Sequence, residues 1–316
     1  MGDRLRRVRR PAAAFDELVR QAAQGEVLYN DDTSVRILEF LKAGQVQQDP
    51  KFPGRTGVFT SGIVSTRESR KIALFFSGRK HAGENLADVL AQRAKDLPPP
   101  IQMCDALSRN LPRQFEVILA NCLAHARRHV VENVPNFPQE CQHMLKLLAE
   151  VYHNDAIARE QAMTSQVRLE FHQAQSGPVM ERLKNWCDEQ LAQRRVEPNS
   201  GLGSAIRYLQ NHWTPLTQFL RVPGAPLDSN IVERALKRAI LHRKNSLYYK
   251  TQRGAAVGDL YMSLIHTCQL QHANPFDYLT SLYRNAGRLR LRPSEWMPWN
   301  YREALAATGP SPPISH

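Results

Sequence analysis

Residues 26–33 read Glu-Val-Leu-Tyr-Asn-Asp-Asp-Thr. The apolar and aromatic run Val27–Tyr29 predicts a strand over 26–30 that leads into Asp31, Asp32 and Thr33. Upstream, Pro11 opens a predicted helix over 12–24 carrying Phe15, Leu18 and Val19, and Gly25 ends it. Downstream, residues 44–57 hold Pro50, Pro53, Gly54 and Gly57 and predict a polar loop. Val58–Ser65 and Lys71–Phe76 predict two strands around a turn-like Thr66-Arg67-Glu68-Ser69, hence a hairpin. With the first strand they make an antiparallel meander. Glu84–Lys95 predicts a helix through Leu86, Val89 and Leu90, stopped by Pro98-Pro99-Pro100. Ile101-Gln-Met-Cys-Asp105 predicts a short strand ending in an acid. A short helix is expected over Leu111–Gln114 and a fifth strand over Phe115–Ala120.

From Leu123 to about Leu220 the pattern is almost wholly helical, and a turn rich in Pro223, Gly224 and Pro226 follows. Three meander strands followed by alternating helix and strand is the order of a ribonuclease-H-like core. The expected fold is therefore α/β, a ribonuclease-H-like mixed five-stranded sheet with an inserted all-helical domain. Residues 1–25 would be a basic N-terminal stub and helix, and 26–122 the core with its five strands. Residues 123–222 would be the helical insertion. Residues 223–285 would supply helices that complete the core, and 286–316 a basic tail rich in Trp and Pro.

The chain has 316 residues, 42% of them hydrophobic, enough for a sizeable core. Lys and Arg number 42 against 30 Asp and Glu, a net charge of +12. That excess suits a nucleic-acid or anionic-surface partner; a basic but unspecialised surface is the plainer alternative. The five cysteines show no Cys-x-x-Cys spacing and no disulfide framework, so a reducing cytoplasm is expected. No apolar segment follows the basic residues 4–10, and no run is long enough to span a bilayer.

Residues 228–245, Asp-Ser-Asn-Ile-Val-Glu-Arg-Ala-Leu-Lys-Arg-Ala-Ile-Leu-His-Arg-Lys-Asn, predict an amphipathic helix. Ile231, Val232, Ala235, Leu236, Ala239 and Ile240 recur at helical spacing. Glu233 is a lone acid among Arg234, Lys237, Arg238, Arg243 and Lys244, a setting for a polyanion and a metal. Asp31, Asp105 and Glu233, on two strands and one helix, match the pattern of a two-metal phosphoryl-transfer site. There two cations about 3.5–4 Å apart activate the attacking oxygen and stabilise the leaving one. Mg²⁺ prefers such carboxylate and phosphate oxygens. Each acid has a local alternative. Asp31 and Asp32 suit a turn or cap, Asp105 an Asx turn, and Asn230 with Glu233 a capping-box-like helix start.

Cys122, His125 and His129, with Cys141 or His143, offer an irregular zinc set. A buried Cys122 beneath the site, with His125 near the scissile phosphate, is the preferred reading. Arg127, Arg128, Arg194, Arg195, Arg243, Lys244, Arg288, Arg290 and Arg292 are phosphate-contact candidates, against the alternative of solvated helix faces. Tyr248 and Tyr249 suit either base stacking or the core.

Several runs together resemble the catalytic part of the insertion sequence 66 family of bacterial DDE transposases. They are Asn30-Asp-Asp-Thr-Ser-Val-Arg-Ile-Leu38, Cys122-Leu-Ala-His-Ala-Arg-Arg128, Asp228-Ser-Asn-Ile-Val-Glu-Arg-Ala-Leu236 and Arg243-Lys-Asn245. Ser263–Cys268, Asn274–Leu279 and Met297–Asn300 add to the match, which covers about residues 26–300. The resemblance implies that Asp31, Asp105 and Glu233 form the DDE triad and hold two Mg²⁺ ions, with Mn²⁺ able to substitute. Asp32, Thr33, Cys122, His125 and Asn230 would support them. Arg127, Arg128, Arg234, Lys237, Arg238, Arg243 and Lys244 would bind DNA. The family usually carries Asp-Gly-Tyr where this chain has Asp105-Ala106-Leu107.

The implied activity is cleavage at the ends of an insertion sequence and joining of the freed 3′-hydroxyl to target DNA. The implied partner is double-stranded DNA, both element ends and target, bound by a homo-oligomer. The implied location is the bacterial cytoplasm, at the nucleoid when DNA is bound, with no membrane contact. Family members usually carry a longer N-terminal region with zipper-like and zinc-finger-like parts. Here only a basic stub precedes the match, which implies a truncated product or reliance on helper proteins. The rival readings are an inactive DNA-binding remnant, a ribonuclease-H-fold nuclease or resolvase, and a zinc-organised binding module.

Overall fold

The computed structural model describes residues 11–42, 45–46 and 52–307. The basic residues 4–10, part of the expected loop at 47–51 and the polar end at 308–316 lie outside the described residues. Five strands, β1 (Val27–Ser34), β2 (Phe59–Arg67), β3 (Arg70–Gly78), β4 (Ile101–Cys104) and β5 (Ile118–Asn121), form a sheet of order β3-β2-β1-β4-β5. The β1–β2 and β2–β3 pairs are antiparallel and β4–β5 is parallel, so the sheet is mixed and the predicted meander is present. A separate two-stranded ribbon pairs Leu41–Lys42 with Gln45–Val46. The expected helix over Leu111–Gln114 is absent; a single 3₁₀ turn at Ser108–Asn110 stands just before it. The run forms a turn instead, with the Phe115 amide donating to the Pro112 carbonyl at 2.8 Å.

The chain divides into two compact units. The first comprises residues 1–100, 109–116 and 231–316. It holds β1, β2 and β3, α1 (Ala12–Ala22) and α2 (Ala82–Leu90). The register gives the meander two distinct faces. Asp31 lies opposite Gly62 and Tyr29 opposite Val64, so these four side-chain positions share one face; Asp32 lies opposite Ser61 on the other. On the Asp32 face, Ser61 accepts from Asn85 of α2 at 2.8 Å, and the Ser65 hydroxyl donates to the Ala22 carbonyl of α1 at 2.7 Å.

The opposite face is covered by the long helix predicted around Glu233 and by the helix after it. In chain order, α3 (Leu123–Glu132), α4 (Pro138–Glu160), α5 (Ser165–Gln175), α6 (Gly177–Ala192), α7 (Gly201–Asn211) and α8 (Trp213–Leu216) come between. Next are α9 (Asn230–Ser246) and α10 (Gln252–Leu270). Val232, Ala235 and Ala239 of α9 form a buried cluster with Val64, Ala73 and Phe75, and Tyr29, Met262 and Leu270 pack against it. Glycine at position 62 lets α9 approach closely: a Cβ there would stand 3.0 Å from Leu236 Cδ2 and 3.4 Å from Val232 Cγ2.

Helix α10 also meets the outer edge of β3. Thr267 Oγ1 accepts from the Ala73 amide (3.1 Å), Ser263 Oγ from Phe75 (2.9 Å) and Asp259 Oδ2 from Ser77 (2.6 Å). Residues 259, 263 and 267 are spaced one helical turn apart, while the amides recur at the two-residue period of a strand. Four residues of helix rise about 6 Å and two of strand about 6.7 Å, so the two ladders stay in step.

The second unit comprises residues 101–108 and 117–230 and holds β4, β5 and α3 to α8. Its core is a cluster that includes Leu123, Met144, Leu148, Leu183, Leu202 and Ile206, each at most 1% exposed. Beside that core Asp155 is buried among Arg159, Arg168 and His172, at 3.1, 2.5 and 3.4 Å. Burial opposes its ionisation, but the hydrogen bond from His172 and the two guanidinium charges outweigh it and hold the carboxyl below its ordinary pKa.

Candidate active site and basic helix

Asp31 lies within β1 rather than at its end: the strand runs on to Ser34 because Asp32, Thr33 and Ser34 continue to pair with Ser61, Thr60 and Phe59. That corrects the expected strand end at residue 30. Asp31 is half-buried, and its Oδ1 accepts from the Asp32 amide at 2.8 Å. It faces the α9 side of the meander, where Glu233 occupies the first turn of α9, directly after the Val232 that covers Gly62. Asp31 and Glu233 are thus brought to the same face of the first unit.

Asp32 points the opposite way and is buried. Its Oδ2 lies 3.1 Å from His81 Nδ1 and accepts from the Ala82 amide at 3.4 Å, at the start of α2. Arg109 Nη2 forms an ion pair with Oδ1 at 3.2 Å. The His81 ring and the Arg109 guanidinium both lie against Phe59, at 4.4 and 5.8 Å between centres. Asp32 therefore fixes the backbone that presents Asp31. Sequence reading missed His81 and Arg109, because both are distant in the chain and neither sits in a recognisable motif.

In the second unit Asp105 follows β4 directly and is half-buried. Its Oδ1 accepts from the Leu107 amide at 3.2 Å, which forms the Asx turn named as the local alternative for this acid, and its carbonyl accepts from Asn121 at 3.4 Å. Cys122 is fully buried at the start of α3, and its sulfur accepts from the Ser229 amide at 3.3 Å. The Leu123 amide donates to the Leu227 carbonyl at 2.9 Å. Two bonds thus tie the Leu227–Ser229 segment to the start of α3. Asp228 then caps the next turn, accepting from the Asn230 amide at 3.2 Å and from its side chain at 2.6 Å.

The zinc set does not assemble as expected. The His129 ring lies tilted against Tyr208 at 4.6 Å, and His143 stacks on Trp186 at 5.0 Å. Among the described residues, no metal-capable group contains His129, Cys141 or His143.

The cations of α9 divide into two sets. Arg234, Lys237, Arg238 and Lys244 are exposed along the outer side of the helix. Arg243 is half-buried and donates to the Ser34 carbonyl and to the hydroxyls of Ser34 (3.1 Å) and Thr33 (3.3 Å), tying the end of α9 to the end of β1. Arg127 and Arg128 are exposed on α3. Tyr249 stacks on His242 at 5.3 Å and exchanges backbone hydrogen bonds with Arg36 and Leu38, so it serves the fold; Tyr248 is exposed.

By architecture the chain is an α/β protein built on a mixed five-stranded sheet. More narrowly, a model of the transposase IS66 family matches residues 6–257, and the chain belongs to that family. It is 34% identical over 188 residues to the uncharacterized protein y4jD of Sinorhizobium fredii, covering 58% of this chain and 36% of that protein. A second protein of the same organism, uncharacterized protein y4qI, is 29% identical over 187 residues, covering 58% and 34%. The match therefore spans about a third of the length of these relatives. Among the described residues no helix is long and apolar enough to cross a membrane.

Proposed function

We propose that the chain is the catalytic region of a DNA transposase acting through Asp31, Asp105 and Glu233. The observation that carries this reading is the shared face: the register turns Asp31, not Asp32, toward the helix that begins with Glu233. The strand order β3-β2-β1-β4-β5 supports a ribonuclease-H-like core, and α3 to α8 fit the helical segment inserted before α9.

Carboxylates are the hard oxygen donors that Mg²⁺ favours, so the donor set fits the expected ions. When bound, Mg²⁺ would polarise the scissile phosphate and lower the pKa of the attacking water or 3′-hydroxyl. The chain's own residues do the rest. Lys237 and Arg238, one turn beyond Glu233 on the exposed side of α9, hold neighbouring phosphates against the site. Arg243 locks α9 to Thr33 and Ser34, which fixes Glu233 relative to Asp31. Arg109 pairs with Asp32 and His81 hydrogen-bonds to it, which holds that carboxyl away from the substrate face. DNA of the element ends and of the target is the substrate, with copies of the chain assembled on it.

Glu233→Gln keeps the side-chain volume and removes the charge. It is expected to abolish metal-dependent nicking and strand transfer of end-containing DNA while leaving DNA affinity within about twofold. Undiminished cleavage by this variant refutes the triad.

A further inference from the structure

On the Asp32 face of the first unit, at the turn of the β2–β3 hairpin, lies a cavity of about 490 Å³ unrelated to the acids. Its lining comes from α1, both hairpin strands and the Ser294–Asn300 segment. Arg67 is five positions along β2 from Gly62, roughly 16 Å at 3.3 Å per residue. Ser65 and Ile72, which line the cavity, belong to the face opposite Tyr29 and Asp31. The cavity is thus remote from Glu233 both along the strands and through the sheet.

We infer that this cavity is a second nucleic-acid site, which takes the phosphodiester backbone of an unpaired DNA strand on Arg67 and Arg70 with a base against Trp299.

Three observations lead there. First, the neutral polar wall is already satisfied within the protein. Gln24 donates to the Arg20 and Gln92 carbonyls and accepts from the Ala94 amide, and Asn300 bridges the Met297 amide and the Ser294 carbonyl. Second, the cations are not. Arg20 is paired with Glu17, but neither Arg67 nor Arg70 has an ion pair among the described residues, and Glu68 is the only acid in the lining. Arg93, beside them, donates only to the Ala23, Gly25 and Pro98 carbonyls. Burial and the Arg67 charge together pull its guanidinium below its ordinary pKa. The local charge is therefore net positive, and a phosphate relieves it.

Third, the Arg70 guanidinium lies over the Trp299 ring, 5.5 Å from its centre. A guanidinium over the face of an indole keeps N–H groups available for a bidentate phosphate contact. An indole beside a phosphate subsite is also the pairing by which single-stranded nucleic acids are held, base on ring and backbone on cation. A phosphorylated side chain or a lipid headgroup would use the arginines but gives Trp299 no planar partner.

The inference rests on the chain handling DNA and not on the acid triad. The test is binding of a labelled single-stranded oligonucleotide to the full chain, by anisotropy across a salt series, with tryptophan emission read in parallel. Arg67 and Arg70 are exposed, so Arg67→Ala/Arg70→Ala leaves the core intact, and thermal melting checks this. The double variant is expected to lose about tenfold in affinity. Its slope of log K against log salt should shrink by about 1.4, two single-strand phosphates' worth. Trp299→Phe should lose the emission quenching that the oligonucleotide causes in the parent chain. An unchanged affinity and slope in the double variant, or unchanged quenching in Trp299→Phe, overturns the site. Loss of cleavage in Glu233→Gln with oligonucleotide binding retained separates the two proposals. If the parent chain binds no DNA at all, both fall.

Discussion

Single atoms decide much at Gly62. Its missing side chain lets Leu236 and Val232 seat α9 against β2, and the same register turns Asp31 toward that helix. Gly62→Val would overpack this contact, costing about 1–3 kcal/mol, and would lift the turn that carries Glu233. Chemical denaturation should report the loss of stability, and nicking should fall further than the folded fraction does. A pure stability loss with specific activity intact would show that α9 tolerates displacement. Asp31, Asp32 and Glu233 were legible in the sequence because short motifs carry them. Which of the two adjacent aspartates faces α9 was not legible, since a strand alternates sides and only its pairing partner fixes the register. His81 and Arg109 were invisible for the same reason: tertiary folding alone brings them to Asp32.

Among elements, α10 lies where helices were expected, but its role beside the sheet edge was not apparent in the sequence. Asp259, Ser263 and Thr267 recur at helical spacing, and all three are buried against β3, a contact with no signal in the local sequence. The strands themselves were readable from their apolar runs, though β1 and β3 extend beyond them because backbone pairing, not side-chain polarity, sets where a strand stops.

Burial pushes the Asp259 carboxyl up from an ordinary 3.8 to about 7, against the pull of its two bonds from Ser77. Between these values the folded chain binds a proton that the unfolded chain has released. Stability supported by this group is therefore full below pH 4 and declines as pH rises toward 7, by up to about 1.4 kcal/mol per pH unit. Asp259→Asn keeps an acceptor for the Ser77 amide and a donor for its hydroxyl. The variant should be less pH-sensitive than the parent across that window and more stable above pH 7. Melting temperatures of both proteins measured from pH 4 to 8 test this, and parallel curves would contradict the assignment.

For the molecule as a whole, family membership and a net charge of +12 both support the proposed nucleic-acid partner, and both are written in the order and kind of its residues. The three-strand meander followed from the sequence as well, because consecutive strands usually pair with one another. The cavity at Arg67, Arg70 and Trp299 could not be read, since its walls come from segments far apart in the chain. The side chains of α10 have one further consequence at this scale. Strand β3 is the border of the sheet, and a border strand ordinarily offers free amides as a template on which a second chain can grow. Here Ala73, Phe75 and Ser77 have spent theirs on a helix. A second chain would therefore extend the sheet past β3 only by displacing these bonds. Ser263→Ala/Thr267→Val would reopen that border, and light scattering on gentle warming should show the variant self-associating well below the temperature at which the parent does.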